Sequence, residues 1–220
     1  MEREKDDLLR QKDVLLEEIQ HRIANSLQII AGIILMKANT VSSEETRTLL
    51  QDTHDRVISI ATVQQQLNAS GIVGPIEMLP YLERLGAALA ASMIRDARPI
   101  TLKVVGAVGT LSARQAESVG LIATELVMNA LKHAFPDPNM KGRITVAYDV
   151  DGTNWTLSVS DNGVGKPDGV FAQKKTGLGT SIIKALAHNL NANVETLAGP
   201  DGTIVSITHA TFAPKVTRAA

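Results

Sequence analysis

The stretch Val159-Ser160-Asp161-Asn162-Gly163-Val164-Gly165 decides the fold of this chain, because a β-rich run stops at an acid and passes directly into glycines. Glycines two residues apart let the backbone take positive φ and approach a ligand closely. Asp161, at the end of a buried strand, offers a fixed hydrogen-bond acceptor. Because Asp-Asn-Gly is also a common turn sequence, the stretch alone predicts either a nucleotide loop or an ordinary turn.

Motifs on both sides of this stretch favour the nucleotide loop. Glu125 and Asn129 lie four residues apart, which places a carboxylate and a carboxamide on one helix face. Gly177-Leu178-Gly179 opens another helix, whose first backbone amides can hold phosphate. Gly202-Thr203 follows as the last motif of the set.

In this order, the four motifs resemble the ATP-binding module shared by gyrase, Hsp90, MutL and the histidine kinases, over residues 76 to 210. The resemblance implies that Asn129 binds Mg²⁺ and that Asp161 accepts a hydrogen bond from the adenine amino group. Thr203 would support the same ring edge through water. Nucleotide contacts are also implied for Gly163, Gly165, Gly177, Leu178 and Gly179.

Three further residues on the same helix are candidates for work near the phosphates. The resemblance implies that Glu125 orders a metal-bound water or assists proton transfer. Lys132 and His133 follow one turn after Asn129, so helix geometry places them near the phosphates. The alternative is that these two residues merely form a solvated helix end.

Composition limits the classes of protein to consider. The 220 residues are 44% apolar and 20% charged, which is typical of one or two soluble domains. A net charge of -1 does not favour nucleic-acid or anionic-membrane binding, and no apolar run approaches the roughly 18 residues of a membrane span. Without cysteine there are no disulfides or thiolate metal sites. The charged N-terminus lacks a signal peptide, so we expect a cytoplasmic protein whose upstream sensor domain is missing from this chain.

The first 69 residues predict two amphipathic helices. From Asp6 to Lys37 there is no proline, and apolar residues recur at spacings of three and four: Leu15, Ile19, Ile23, Leu27, Ile30 and Ile34. A second helix is expected to begin with a capping box of Ser42 and Glu45 and to reach about Ala69. An antiparallel hairpin buries little apolar surface by itself, so we expect a homodimeric four-helix bundle.

His21 falls opposite the apolar stripe of the first helix and therefore faces solvent in this prediction. It is either an incidental surface histidine or a nucleophile, since a neutral imidazole can attack a γ-phosphate. The segment from Glu18 to Ile30 resembles the H-box of the HisKA_2 class of sensor histidine kinases, with the pattern His-Arg-x-x-Asn-x-Leu-Gln. The resemblance implies that His21 is the phosphoacceptor and that a response-regulator receiver domain is the partner. His54 is the rival acceptor.

The base that assists His21 does not follow from the commonest histidine kinases, because Arg22 stands where they carry an acid. Glu18, three residues before His21, is the expected base, and Glu17 is the second candidate. The alternative is that both glutamates only make an exposed helix face soluble. The related HWE class carries a histidine before the Glu of the ATP module, where this chain has Thr124, so the HisKA_2 class fits better.

The expected fold class is α+β: a helical hairpin over 1–69, a hinge over 70–75, an ATP-binding α/β sandwich over 76–213 and a tail over 214–220. The sandwich is predicted to have a mixed sheet covered on one face by about three helices, with hairpins turning at Asp151-Gly152 and at 199–202. Residues 167–176, which include Phe171, Lys174 and Lys175, are expected to form a short lid.

The sequence therefore predicts an ATP- and Mg²⁺-dependent protein histidine kinase, the core of a two-component sensor. Two alternatives remain open at this point. One is a serine kinase of the anti-sigma type, which has the same ATP module without a histidine helix. The other is a non-catalytic dimer or scaffold that nucleotide rearranges.

Overall fold

Two long helices form the N-terminal part of the chain. A computed structural model describes residues 2–68, 74–94, 99–165 and 178–211. It divides the chain into two units, Met1–Gly74 and Pro75–Ala220. Helix α1 covers Glu2–Thr40 and α2 covers Glu44–Asn68. The absence of proline from α1 lets its hydrogen-bond ladder run for 39 residues.

The start of α2 differs from the prediction. Ser42 was expected to cap the helix with Glu45, but the side-chain oxygen of Ser43 accepts a hydrogen bond from the backbone of Thr46 at 3.3 Å. Since an N-cap serine bonds the backbone amide three residues on, Ser43 is the cap and the Ser42 assignment was wrong by one residue. The physical reason is that α1 continues to Thr40, which shifts the short connection along the chain.

The two helices of the hairpin meet through small residues. Among the side chains of α1 that the structure describes, the buried ones are Ala24, Ala31 and Ala38, spaced by seven, and α1 makes its main contact with α2. Large apolar residues on the other sides of α1 remain exposed: Val14, Leu15, Ile19, Ile23, Ile29, Ile30, Ile33, Leu35 and Met36. The hairpin therefore leaves most of its large apolar surface uncovered in the single chain. Among the described residues, no helix is both long and apolar enough to cross a membrane.

A five-stranded mixed sheet forms the framework of the second unit, as predicted. Its strands are β2 (Ile100–Gly106), β4 (Gly142–Asp151), β5 (Asn154–Asp161), β6 (Ala192–Gly199) and β7 (Gly202–His209), in the order β2-β4-β5-β7-β6. Strands β2 and β4 are parallel, and the other neighbours are antiparallel. The β4–β5 hairpin turns at Gly152, whose φ of 61° is one that glycine adopts without strain.

Three helices pack against this sheet: α3 (Met78–Met93), α4 (Ala113–His133) and α5 (Leu178–Asn189). The side chains between them and the sheet form the core, which includes Tyr81, Ile122, Ile144, Leu157 and Ile207. Alternate residues of the strands, such as Lys103, Thr145 and Ile204, line an open depression instead. The period of two along each strand thus separates a buried face from an open one.

A small two-stranded sheet precedes α4 and was not predicted from the sequence. Ile76 and Glu77 form a short strand, β1, and helix α3 begins directly after it at Met78. This strand pairs with β3 (Thr110–Leu111), and the backbone of Met78 donates to the carbonyl of Gly109 at 2.9 Å. Strands of two residues carry no detectable periodicity, so only the tertiary pairing identifies them.

Candidate functional site

The second half of α4, the end of β5 and the start of β7 enclose a cavity of about 270 Å³. Five residues that the sequence predicted for nucleotide binding line it: Asn129, His133, Asp161, Gly165 and Thr203. They come from α4, from β5 and the residues that follow it, and from β7, which lie far apart in the sequence. The fold therefore brings the separate motifs to one place.

Helix α4 is fixed at its N-terminus by a capping box. The Ser112 side chain accepts from the backbone of Gln115 at 3.4 Å, and the Gln115 side chain accepts from the backbone of Ser112 at 3.2 Å. Each bond satisfies a backbone amide that has no partner within the helix. The cap sets where α4 begins and thus which of its residues reach the cavity four turns later.

The candidate residues on α4 occupy different surroundings. Asn129 is half-buried and His133 is exposed, and both line the cavity. Glu125, one turn before Asn129, is only 5% exposed, and Lys132 is exposed. These last two residues lie outside the cavity lining, although they belong to the same half of the helix.

Asp161 ends β5 with its carboxylate in a half-buried position. Its Oδ1 accepts a hydrogen bond from the backbone of Gly163 at 3.0 Å, and the backbone of Thr203 donates to the same carboxylate. Burial raises the pKa of Asp161 above its ordinary value, and these two backbone hydrogen bonds offset only part of that increase. The site therefore contains one acceptor that is oriented by the protein backbone and partly removed from water.

Glycine is required around Asp161 because backbones come close together there. A Cβ on Gly163 would collide with the carbonyl oxygen of Ala134, and one on Gly202 would collide with that of Asp161. Gly202 also has a φ of 125°, which side-chain-bearing residues rarely adopt. In this structure the glycines serve close packing between protein segments around the cavity.

The phosphate-loop motif is described only in part. Helix α5 begins at Leu178, and Gly179 in its first turn is buried. Gly177 and the predicted lid over 167–176, including Phe171, Lys174 and Lys175, lie outside the described residues. The side chain of Leu178 is likewise not described.

The predicted phosphoacceptor belongs to the other unit. His21 lies within α1, and its side chain is outside what the structure describes. The neighbouring Glu18 is described: its Oε1 accepts from Nη2 of Arg22 at 2.7 Å and from Nε of Arg22 at 3.1 Å. The rival His54 is half-buried on α2, with its Nδ1 3.2 Å from Oδ1 of Asp55.

The apolar walls of the cavity were not predicted from the sequence; they are Leu126, Ala130, Ala134, Val159 and Val205. Val159 and Val205 each lie two residues from a predicted polar residue on the same strand. Because strand side chains alternate between faces, Asp161 and Thr203 implied these two positions. Leu126 precedes Asn129 by three residues and shares its side of the helix.

This combination suits a flat, largely apolar ring that carries an amino group. Apolar side chains form much of the lining, while Asp161 and Thr203 are among its polar residues. Within the described ranges, no group of three or more histidine, aspartate or glutamate residues could hold a metal ion. Asn129 can contribute one oxygen, which fits Mg²⁺ because this ion is commonly held by few protein ligands plus substrate phosphates.

Two families match the chain. Residues 18–93 match a family described as histidine kinase, and residues 87–209 match the histidine kinase-like ATPase domain family. The second match spans the sheet and all the described residues of the cavity. The two matches overlap at α3 and together extend from Glu18 to His209.

Curated relatives are sensor kinases. The chain is 31% identical over 182 residues to the sensor histidine kinase PdtaS of Mycobacterium tuberculosis, which covers 83% of this chain and 36% of that protein. It is 26% identical over 209 residues to the blue-light-activated histidine kinase 2 of Erythrobacter litoralis, covering 93% of this chain and 59% of that protein. The chain thus spans about a third of the mycobacterial relatives' length.

A solved structure has the same fold. The histidine kinase domain of the Erythrobacter litoralis EL346 blue-light activated histidine kinase superposes with a TM-score of 0.61 at 23% identity. The superposition covers 84% of this chain and 94% of that domain. At this identity the likeness concerns the fold alone.

Proposed function

This chain belongs to the histidine kinase-like ATPase domain family, and from this membership we propose that it is the core of a two-component sensor kinase. ATP would phosphorylate His21, and an aspartate of a response-regulator receiver domain would then take the phosphoryl group. The observation that carries the proposal is the meeting of Asn129, Asp161 and Thr203 in one cavity. The histidine kinase family match over residues 18–93, which includes His21, supports the acceptor.

Adenine would bind between the apolar walls of the cavity. The carboxylate of Asp161 would accept a hydrogen bond from the 6-amino group, and Thr203 would contact the same ring edge. Because two backbone amides already orient the carboxylate, binding costs little reorganisation. A partly desolvated acceptor also forms a stronger hydrogen bond than one in water.

The phosphates would extend from the cavity toward His133 and the N-terminus of α5. A helix N-terminus attracts anions through its free amides and its dipole. Asn129 would hold Mg²⁺, which when bound neutralises phosphate charge and stabilises the leaving group. Lys132 and Glu125 remain candidates, respectively for added positive charge and for orienting a water or moving a proton. Gly163, Gly165, Gly177, Leu178 and Gly179 complete the proposed nucleotide-binding set.

In the proposed reaction, a ring nitrogen of His21 attacks the γ-phosphorus of ATP. The new N–P bond forms as the bond from the γ-phosphorus to the bridging oxygen breaks, and ADP leaves with that electron pair. The imidazole proton must then depart from the other ring nitrogen. Glu18, three residues before His21, is the proposed acceptor, and only its Oε1 is engaged by Arg22.

The Glu18–Arg22 pair does not prevent this role. Both side chains are largely exposed, at 53% for Glu18 and 77% for Arg22. Exposed ion pairs one helical turn apart contribute about 0.3–0.5 kcal/mol, so the pair opens readily. Arg22 would thus compete weakly for Glu18 rather than hold it permanently.

A second copy of the chain is the proposed partner of the helical hairpin. The exposed row of large apolar residues on α1 would be buried in a four-helix bundle. The proposed domain division remains 1–69 for the hairpin, 70–75 for the hinge, 76–213 for the ATP-binding domain and 214–220 for the tail. A hinge would let bound ATP reach His21 and then withdraw.

The chemical stability of the phosphorylated protein tests the proposal. Incubation with γ-labelled ATP and Mg²⁺ is expected to give a label that is lost in acid and kept in base, because phosphohistidine has this behaviour. A label stable in acid would instead indicate a serine kinase. ATP binding without any label would indicate a nucleotide-gated dimer or scaffold.

A further inference from the structure

The ladder between β4 and β5 ends at the residue that faces the cavity. Its register runs from Asp151 opposite Asn154 to Ile144 opposite Asp161. Beyond Asp161 the chain leaves the sheet and approaches the end of α4, where the backbone of Val164 donates to the carbonyl of Ala134 at 2.9 Å. The orientation of Asp161 therefore depends on the hydrogen bonds that hold residues 162–164 to the sheet and to α4.

Asn162 joins this segment to the sheet through two hydrogen bonds to one residue of β4. The backbone of Asn162 donates to the carbonyl of Arg143 at 3.2 Å, and the backbone of Arg143 donates to Oδ1 of Asn162 at 2.6 Å. In a regular antiparallel ladder, such a pair exchanges both bonds through main-chain atoms. Here the side chain replaces the main-chain carbonyl of Asn162, which leaves that carbonyl free to turn away from the sheet.

The same turn holds the Asp161 carboxylate. Immediately after Asn162, the backbone of Gly163 donates to Oδ1 of Asp161 at 3.0 Å. Gly163 is itself wedged against Ala134, where no Cβ would fit. If residue 162 lacked an acceptor, the Arg143 amide would lose its partner and the turn would be fixed to the sheet by one bond instead of two.

We propose that Asn162 is a positioning residue for adenine recognition, because its side chain extends the β4–β5 ladder by one step and thereby fixes the Asp161 carboxylate. Asp161 lines both the cavity and the open depression of the sheet, whereas Asn162 lines only the depression, so we assign Asn162 an indirect role through Asp161. The inference rests on the proposed function, since it assumes that the adenine amino group faces Asp161.

If Asn162 only stabilised the sheet, removing a side-chain hydrogen bond elsewhere on β5 would affect nucleotide recognition equally. Asn154, at the other end of β5, also accepts a backbone hydrogen bond through its side chain, from Thr211 at 2.9 Å. The same oxygen also accepts from Oγ1 of Thr211 at 2.9 Å, so replacing Asn154 with alanine removes at least as many side-chain hydrogen bonds from the same strand, far from Asp161. Asn154→Ala is thus a matched control for loss of sheet stability.

The experiment measures calorimetric affinities for ATP and for purine riboside triphosphate, which lacks the 6-amino group. The ratio of the two affinities reports recognition of that group. We expect Asn162→Ala to lower this ratio about tenfold, which corresponds to about 1.4 kcal/mol. Asn162→Asp, assayed near pH 8, should keep the ratio because a carboxylate oxygen accepts from Arg143. Asn154→Ala should leave it unchanged.

Two additional variants test whether the position of the Asn162 oxygen matters and whether Asn162 acts through Asp161. Asn162→Gln keeps the amide but displaces its oxygen by one methylene, so it should also lower the ratio, and it replaces the alanine variant if that protein does not fold. In an Asp161→Asn background, Asn162→Ala should reduce the ratio no further. An unchanged ratio in folded Asn162→Ala or Asn162→Gln, or an equal loss in Asn154→Ala, would overturn this inference alone. Equal wild-type affinities for both nucleotides would overturn the proposed adenine contact as well.

Discussion

Asp161 on β5 and Thr203 on β7 are direct partners in an antiparallel ladder, and the backbone of Thr203 donates a hydrogen bond to the Asp161 carboxylate. Both residues line the same cavity. The pairing gives the site an acceptor whose direction is set by the sheet itself. Recognition of a nucleotide base at this point would depend on strand register as much as on side-chain identity.

Replacing Asp161 with asparagine should weaken ATP binding about 10- to 100-fold, since a neutral amide that can also present donors to the adenine amino group replaces a charged acceptor. The preference over a nucleotide without the amino group should also disappear. Isothermal titration calorimetry with both nucleotides provides the measurement. Undiminished affinity and preference in a folded variant would remove Asp161 from the site.

The same variant gives a pH-dependent change in stability. Burial raises the pKa of Asp161, so the folded chain binds this proton more tightly than the unfolded chain does. The contribution of Asp161 to the free energy of unfolding is therefore greatest below the ordinary pKa and declines as pH rises through the raised one. As pH rises above the ordinary pKa of an aspartate, melting temperatures should shift in favour of Asp161→Asn until Asp161 is fully ionised in the folded chain. A difference in melting temperature between wild type and Asp161→Asn that does not change with pH would contradict a raised pKa for Asp161.

Gly202→Ala should disrupt the cavity, because its new Cβ would collide with the carbonyl of Asp161 and its φ of 125° is unfavourable for alanine. Gly152→Ala is the matched control: its φ of 61° is also positive, but nothing lies near the added Cβ. We expect Gly152→Ala to cost about 1–2 kcal/mol and to keep ATP binding. Gly202→Ala should cost more and lose it, as seen by urea unfolding and calorimetry. Equal costs with retained binding would refute the close approach.

Much of the sheet could be predicted because its signals are local. Gly152 and the glycines of 199–202 mark the hairpins, and alternation along the strands marks their faces. Asn129, Asp161 and Thr203 were identified from motifs that resemble those of the ATP-binding module. The cavity confirms that these three residues lie together, while their roles toward a ligand remain proposals.

Other features depend on tertiary contacts and therefore could not be predicted from the sequence. The two-residue strands β1 and β3 form only because Ile76 meets Leu111. The cap of α2 was predicted at Ser42 but lies at Ser43, because α1 continues to Thr40 and the connection between the helices begins only after it. Asn162 looked like an ordinary turn residue, since its bond to Arg143 crosses 19 residues of sequence.

The exposed face of α1 predicts self-association. Ile29 and Ile33 lie one turn apart and are 65% and 50% exposed. The double variant Ile29→Glu/Ile33→Glu should convert a dimer into a monomer in light scattering at micromolar concentration, because four buried charges per bundle are strongly unfavourable. Circular dichroism should show retained helix. Gln28→Glu, at an exposed polar position, controls for added charge and should remain dimeric. A wild-type protein that is already monomeric would contradict the prediction.

Glu18→Gln should slow phosphorylation of His21 by roughly 10²-fold while leaving ATP affinity unchanged, since it removes the proposed proton acceptor. Single-turnover rates with saturating ATP isolate this step. Two companions sharpen the comparison: Arg22→Gln frees Glu18 from its ion pair and should not slow the reaction, whereas Glu17→Gln should have little effect. A near-wild-type rate in Glu18→Gln would show that another group accepts the proton.

The site of phosphorylation tests the account most directly. Wild-type protein, His21→Gln and His54→Gln are incubated with γ-labelled ATP and Mg²⁺, and incorporation of acid-labile label is measured. We predict full labelling of wild type and His54→Gln and none of His21→Gln, with all three proteins binding ATP equally. Full labelling of His21→Gln would contradict the central claim that His21 receives the phosphoryl group.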